Sequence, residues 1–254
     1  MARMGQVLIE AVCCSADDCV AAEAGGADRV ELCAAMALGG LTPSLGTVVE
    51  ARGRTRLAMV SMVRPRAGGF DYTAGEFAAM RRDAELAVQE GVDGIVFGIL
   101  RPSGEVDLDR SAALIDIARA AGRETVFHRA FDVVPEPFAA LEALIALGVT
   151  RVLTSGRQAT ALAGAPLIRE LAERAAGRIQ ILPGGGVRDT NVAELLQATG
   201  VQAVHLAPFA TRADTSGQAN PTLGFGPGPI PAEGTFQVTD AAVLRRVRQA
   251  SNRA

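Results

Sequence analysis

The feature that most constrains this chain is an eightfold alternation. Short runs rich in Val, Ile and Leu, at 7–12, 29–32, 57–63, 94–100, 125–128, 151–154, 179–182 and 201–206, interleave with segments of helical period. The helical segments are predicted at 15–24, 43–51, 73–90, 108–121, 137–147, 166–175, 189–198 and 240–249. Asp71, Thr73, Asp107 and Asp189 stand at their starts, and Gly25, Gly91, Gly122, Gly148, Gly177 and Gly200 at their ends, as capping chemistry requires. Eight strands joined through helices in 254 residues predict a single (β/α)8 TIM barrel spanning 1–254. An open doubly wound sheet is disfavoured, because the repeats are even and no GxGxxG follows the first strand. One segment, 208–238, breaks the rhythm. It is rich in Gly, Pro, Thr and Ser, lacks the apolar periodicity of a second domain, and reads as a long loop, a lid or a subunit-contact arm.

Composition removes several kinds of chemistry. All 25 basic residues are Arg, so neither a lysine Schiff base nor a P-loop lysine is available. A net charge of -3, 4% aromatic residues, no Trp and the single Tyr72 argue against nucleic-acid binding. Residues 1–6 are too short and polar for a signal peptide. The uncharged stretch 32–49 is broken by Gly39, Gly40, Pro43 and Gly46, so no membrane span is expected. The four cysteines, Cys13, Cys14, Cys19 and Cys33, crowd near the start, which fits reduced thiols in a cytoplasmic protein better than a disulfide framework.

In barrels of this kind the working groups sit where strands end. Strand one carries Glu10, and strand two carries Arg29, Glu31 and Cys33 at alternate positions. Strand three runs into Arg64-Pro65-Arg66, strand five into His128-Arg129-Ala130-Phe131-Asp132, and strand six into Thr154-Ser155-Gly156. Strand seven ends in Pro183-Gly184-Gly185-Gly186, and strand eight carries His205, so both histidines terminate strands. Burying such groups without partners costs roughly several kcal/mol each. Either they satisfy one another and set the barrel register, or they meet a ligand. As a ligand site, Glu10, Glu31, His128, Asp132 and His205 are the catalytic candidates, with Glu31 or His128 as base. Arg64, Arg66, Arg129 and Ser155 are the anion-binding candidates, with the amides of Gly184, Gly185 and Gly186. Thiolates suit Cu(I), so Cys33 with a first-strand cysteine, Cys13 or its neighbour, is the metal candidate. Cys13 and Cys14 should point to opposite faces of the strand.

The phrases GADRVELC, GGLTPSLG, VRPRAGGFDY, FHRAFD and RVLTSG, then the glycine run before VR, occur in order from Gly26 to Arg188. With QVTD from Gln237, they resemble the copper homeostasis protein CutC family over most of the chain. That resemblance implies a single TIM barrel, a cytoplasmic location, homo-oligomers, and copper binding in copper homeostasis. The family's mouth motifs fall on Glu10, Glu31, Cys33, Arg64, Arg66, His128, Arg129, Asp132, Ser155 and His205. The chain departs from the pattern after His205, where Leu206 and Ala207 replace small hydroxyl or thiol residues, and at the Cys13-Cys14-Ser15 end of strand one. The expectation is a copper homeostasis protein. The alternative is an isomerase, lyase or other proton-transfer enzyme acting on a small anionic metabolite.

Overall fold

Strand parity builds the architecture. In the computed structural model, which describes residues 6–220, 222 and 234–253, eight short strands are buried along nearly their whole length. They are β1 (Leu8–Cys13), β2 (Arg29–Leu32), β3 (Ala58–Met62), β4 (Gly94–Phe97), β5 (Glu124–Phe127), β6 (Arg151–Thr154), β7 (Gln180–Pro183) and β8 (Ala203–Leu206). Residues of one parity, such as Ile9, Val30, Met59, Phe97 and Phe127, join the large core beneath the helices. The other parity supplies a smaller interior cluster of Val12, Cys33, Val60, Met62, Val96, Val126, Leu153 and Leu182. Two-sided burial of this kind is what a parallel sheet covered by helices demands.

The strands pair in parallel in the order β7-β6-β5-β4-β3-β2-β1-β8. A parallel bridge between Gly184 and His205 closes the barrel. A Cβ at Gly184 would lie 2.6 Å from Leu153 Cδ1 and 3.0 Å from His205 Cδ2, so the seam shuts only around glycine.

The outer layer is α1 (Ala16–Gly25), α2 (Leu45–Arg54), α3 (Ala74–Gln89), α4 (Leu108–Ala120), α5 (Pro137–Leu147), α6 (Ala165–Ala175), α7 (Val192–Thr199) and α8 (Ala241–Ser251). Thr73 and Glu76 form a reciprocal capping box, and Asp107 caps α4. Helix α7 begins later than Asp189 predicts. Asp189 is engaged by Arg246 at 2.8 Å, and the Asn191 side chain turns the chain by accepting from Arg188 N.

The segment read as an unbroken loop at 208–238 has structure at both ends. β9 (Phe209–Ala213) and β10 (Thr235–Thr239) form an antiparallel ribbon in register from Phe209–Thr239 to Ala213–Thr235. Its base is anchored by Thr239 N donating to Asp18 Oδ1 at 2.6 Å and Asp240 N donating to Pro208 O at 2.7 Å. These strands carry little buried apolar residue, which is why alternation did not reveal them. Residues 221 and 223–233 of that segment lie outside the described residues. No helix among the described residues is long and apolar enough to cross a membrane.

Candidate functional site at the barrel mouth

Register assembles a buried polar chain inside the barrel. Glu10 stands opposite Arg29 on β2 and His205 on β8. Arg29 Nε forms an ion pair with Glu10 Oε2, and His205 Nδ1 lies 2.7 Å from Glu10 Oε1. On its far side, His205 Nε2 is 3.9 Å from Glu31 Oε2. Burial alone would raise the Glu10 carboxyl, but Arg29 and the hydrogen bond from His205 hold it down at about 2. Glu10 is therefore an anion that fixes His205 with its proton on Nδ1. Burial opposes a charge on His205, yet Glu31 and Glu10 outweigh it and raise its affinity for a proton. For Glu31, burial dominates and pushes the carboxyl up to about 7, against the pull of His205.

His128 is set differently. It follows β5, and its Nδ1 accepts from Ala130 N at 3.1 Å. The ring packs on Phe70, with centroids 5.1 Å apart, and against Gly98, where a Cβ would come within 2.4 Å of the imidazole. With Nδ1 an acceptor, the neutral ring carries its proton on Nε2. Burial, reinforced by the Arg64 cation, lowers this imidazole to about 3, so it stays neutral. His128 Nε2 and Glu31 Oε1 are buried and without a hydrogen-bond partner. Both residues line a cavity of about 380 Å³ at the mouth, together with Arg64, Arg129, Gly185, Gly186, Arg188, His205 and Met36.

The predicted anion donors separate into two groups. Arg64 donates to the carbonyls of Leu38, Gly40 and Gly68 at 2.8–3.1 Å and lies over the Phe70 ring. It is only 6% exposed, and among the described residues no carboxylate lies within ion-pair distance of it. Arg129 reaches the cavity but is paired with Asp132 at 2.7 Å and donates to Ser155 Oγ at 2.8 Å. The amides of Gly185 and Gly186 donate to no acceptor among the described residues, and both glycines have positive φ, 113° and 71°.

Other expected residues do not reach the cavity. Asp132 is no acid or base there: its oxygens accept from Arg129, Thr154 Oγ1 and the Ser155 backbone, so it anchors the loops. Ser155, fully buried, is absorbed in the same network. Arg66 points away from the mouth, pairing with Glu76 and the carbonyl of Asp71. The Gly184 amide is spent on Thr154 O, which leaves this residue a seam and not an anion donor.

The cysteine pairing needs correction too. Cys13 has the outward parity of Ile9 and Ala11 and sits in the core beneath the helices, 4.0 Å from Thr239 Oγ1. It cannot meet Cys33, which faces inward. Cys14 can. It shares the inward face with Cys33, whose proximity lowers the Cys14 thiol, while Cys14 and burial raise the thiol of Cys33. Cys33 Sγ also lies 3.3 Å from Met36 Sδ. Nearby Gly40 would place a Cβ 3.6 Å from Met36 Sδ and 3.8 Å from Cys33 Cβ, so its missing side chain leaves space beside the sulfurs.

Residues 7–209 match the CutC family. The chain belongs to that family. A CutC family protein of Treponema denticola is 46% identical over 96% of this chain and 98% of its own length. The human copper homeostasis protein cutC homolog is 40% identical, over 94% of this chain and 86% of its own length. The crystal structure of CutC from Streptococcus agalactiae superposes with a TM-score of 0.74 at 33% identity, covering 79% of this chain and 98% of that one. A 3-hexulose-6-phosphate synthase of Salmonella typhimurium, 15% identical with a TM-score of 0.59 over 97% of this chain and 99% of that one, shares the fold alone.

Several members of this CutC mouth were not singled out from sequence. Sequence offers Cys14 beside Cys13 as the first-strand partner of Cys33, and the inward face it shares with Glu10 and Val12 decides between them. Met36, Gly98 and Arg188 had no such signal, because their positions depend on how loops fold over the barrel.

Proposed function

We propose that this CutC-family chain serves copper homeostasis by holding Cu(I) on sulfur at the rim of the barrel, with Cys14, Cys33 and Met36 as ligands. The observation that carries this reading is the gathering of those three sulfurs beside the side-chain-free Gly40. Thiolate and thioether are the donors a soft monovalent cation prefers. Cys14, the more acidic thiol of the pair, is half-buried and would give up its proton first. Glu10, Glu31 and His205 also lie close enough to share an ion, but they fit copper(I) poorly. Their donors are oxygen and nitrogen, and both Glu10 oxygens are already taken by Arg29 and His205.

The four free thiols favour the reducing cytoplasm. Exposed Val20, Leu45 and Val49 on α1 and α2 support a homo-oligomer. Competition with bicinchoninate under anaerobic conditions tests the copper reading. Wild type should withdraw Cu(I) stoichiometrically; Cys33→Ser and Cys14→Ser should lose most of that capacity, and Cys13→Ser should keep it. Loss of binding in Cys13→Ser alone, or no competition by wild type, would refute it.

A further inference from the structure

We infer that the cavity beside the sulfurs is an acid–base site for a small anionic α-hydroxycarbonyl compound, in which Glu31 moves a proton at carbon and His128 Nε2–H holds the carbonyl oxygen. The inference does not depend on copper, since neither Cys14 nor Cys33 takes part in it.

Two buried side chains present unmatched polarity of opposite sense to the same cavity. His128 is 4% exposed and offers a donor at Nε2; Glu31 is 3% exposed and offers an acceptor at Oε1. A buried polar atom left without a partner is costly, and a native fold keeps one where something arrives to satisfy it. The Ala130 amide decides what His128 can offer. It occupies Nδ1 and leaves Nε2–H as the ring's unpartnered group, a donor and not a base, on a residue that lines the cavity. Glu31 has no such commitment, and His205 stands 3.9 Å behind its other oxygen. Glu10 and Arg29 act as positioning residues that hold His205 in place.

The charge of the ligand follows from the rim. Arg64 is a buried cation whose two terminal nitrogens donate to carbonyl oxygens while its Nε has no partner. Among the described residues no carboxylate within ion-pair distance compensates its charge. Arg188 lines the same space, as do Gly185 and Gly186, whose amides have no acceptor among the described residues. Such a set holds a carboxylate or a phosphate.

The step balances within the ligand and one carboxyl. Glu31 takes the proton from the carbon next to the carbonyl. The C–H electron pair forms the C=C bond, and the carbonyl π pair moves to oxygen, where His128 Nε2–H and the Arg64 charge stabilise it. Glu31 then returns the proton to carbon. A neutral imidazole suits this task because it polarises the oxygen without competing for the proton.

The chain contains only two histidines, so ring-labelled histidine gives an unambiguous NMR readout. Adding 2-phosphoglycolate should shift the His128 Nε2–H resonance, whereas inorganic phosphate should bind the rim and leave that resonance unmoved. Dihydroxyacetone phosphate in heavy water should exchange its carbon-bound hydrogen. Glu31→Gln should slow that exchange on the order of a hundredfold or more while keeping phosphate affinity, which shows the variant is folded. Exchange should proceed in protein kept free of copper, so its outcome is independent of the sulfur site. Failure of both anions to bind would overturn the inference. So would phosphate binding with His128 unmoved by 2-phosphoglycolate, or exchange that is absent in wild type or survives in Glu31→Gln.

Discussion

The lower half of the barrel interior and its mouth are built from the same residue types and use them in opposite ways. Below, Arg29 is paired with Glu10, and Arg151 is paired with Glu124 and donates to Gln180 at 3.1 Å. Each charge there has a countercharge from a neighbouring strand, although one buried nitrogen each of Arg29 and Arg151 is without a hydrogen-bond partner. At the mouth, Arg64 has none, and Glu31 and His128 each keep a buried polar atom unmatched. The first arrangement is a structural network that sets how the strands meet. The second leaves its cation without a countercharge and brings an unmatched donor and an unmatched acceptor to the lining of one cavity. Buried polarity in a barrel is thus informative only once its partners have been counted.

The largest test of this contrast strikes the lower network. Arg29→Ala should cost about 3–5 kcal/mol in denaturant unfolding, since it strands the Glu10 anion in the interior. Glu31→Gln should cost far less, because its ion-pair contact with His205 is 3.9 Å long and neutralising it removes a buried charge. If the two variants were equally destabilised, the division between network and site would fail.

A second test uses pH. In the folded state His128 stays neutral down to about 3, whereas an unfolded histidine gains its proton near 6.5. The unfolded state therefore binds more protons as pH falls through that window, and the folded state loses stability. The loss begins near the unfolded value and is complete only below the folded one. Between pH 6.5 and pH 4.5 it amounts to about 2 kcal/mol. His128→Gln removes this term and leaves the titrations of Glu31 and His205 common to both proteins. The stability difference between variant and wild type should therefore move toward the variant by that amount. A difference independent of pH would show that His128 is protonated when folded.

The smallest effect is expected at Arg66, which is tied to Glu76 at the surface and lines no part of the cavity. Arg66→Gln should leave phosphate affinity and copper capacity at wild-type values in titration calorimetry. A clear loss of phosphate affinity would extend the anion site beyond the rim described above.

The fold was legible because it rests on periodicities that each segment carries by itself. Runs such as 94–100 and 151–154 are apolar enough to be buried on both faces, and helices between them leave a parallel barrel as the economical closure. The ribbon of β9 and β10 was not legible, because its residues are half polar and its stability comes from Asp18 and Pro208, distant in sequence or at its very edge. The site was legible as a set of positions but not as a set of roles. Sequence placed Glu31, His128, Arg64 and His205 at strand ends, and strand parity already separated Cys14 from Cys13. Only tertiary structure decided that Asp132, Ser155 and Arg66 exhaust their bonding internally, while Glu31 and His128 do not. The physical reason is that a strand dictates which way a side chain points, whereas its hydrogen-bond partners come from other strands and loops whose meeting no local pattern specifies.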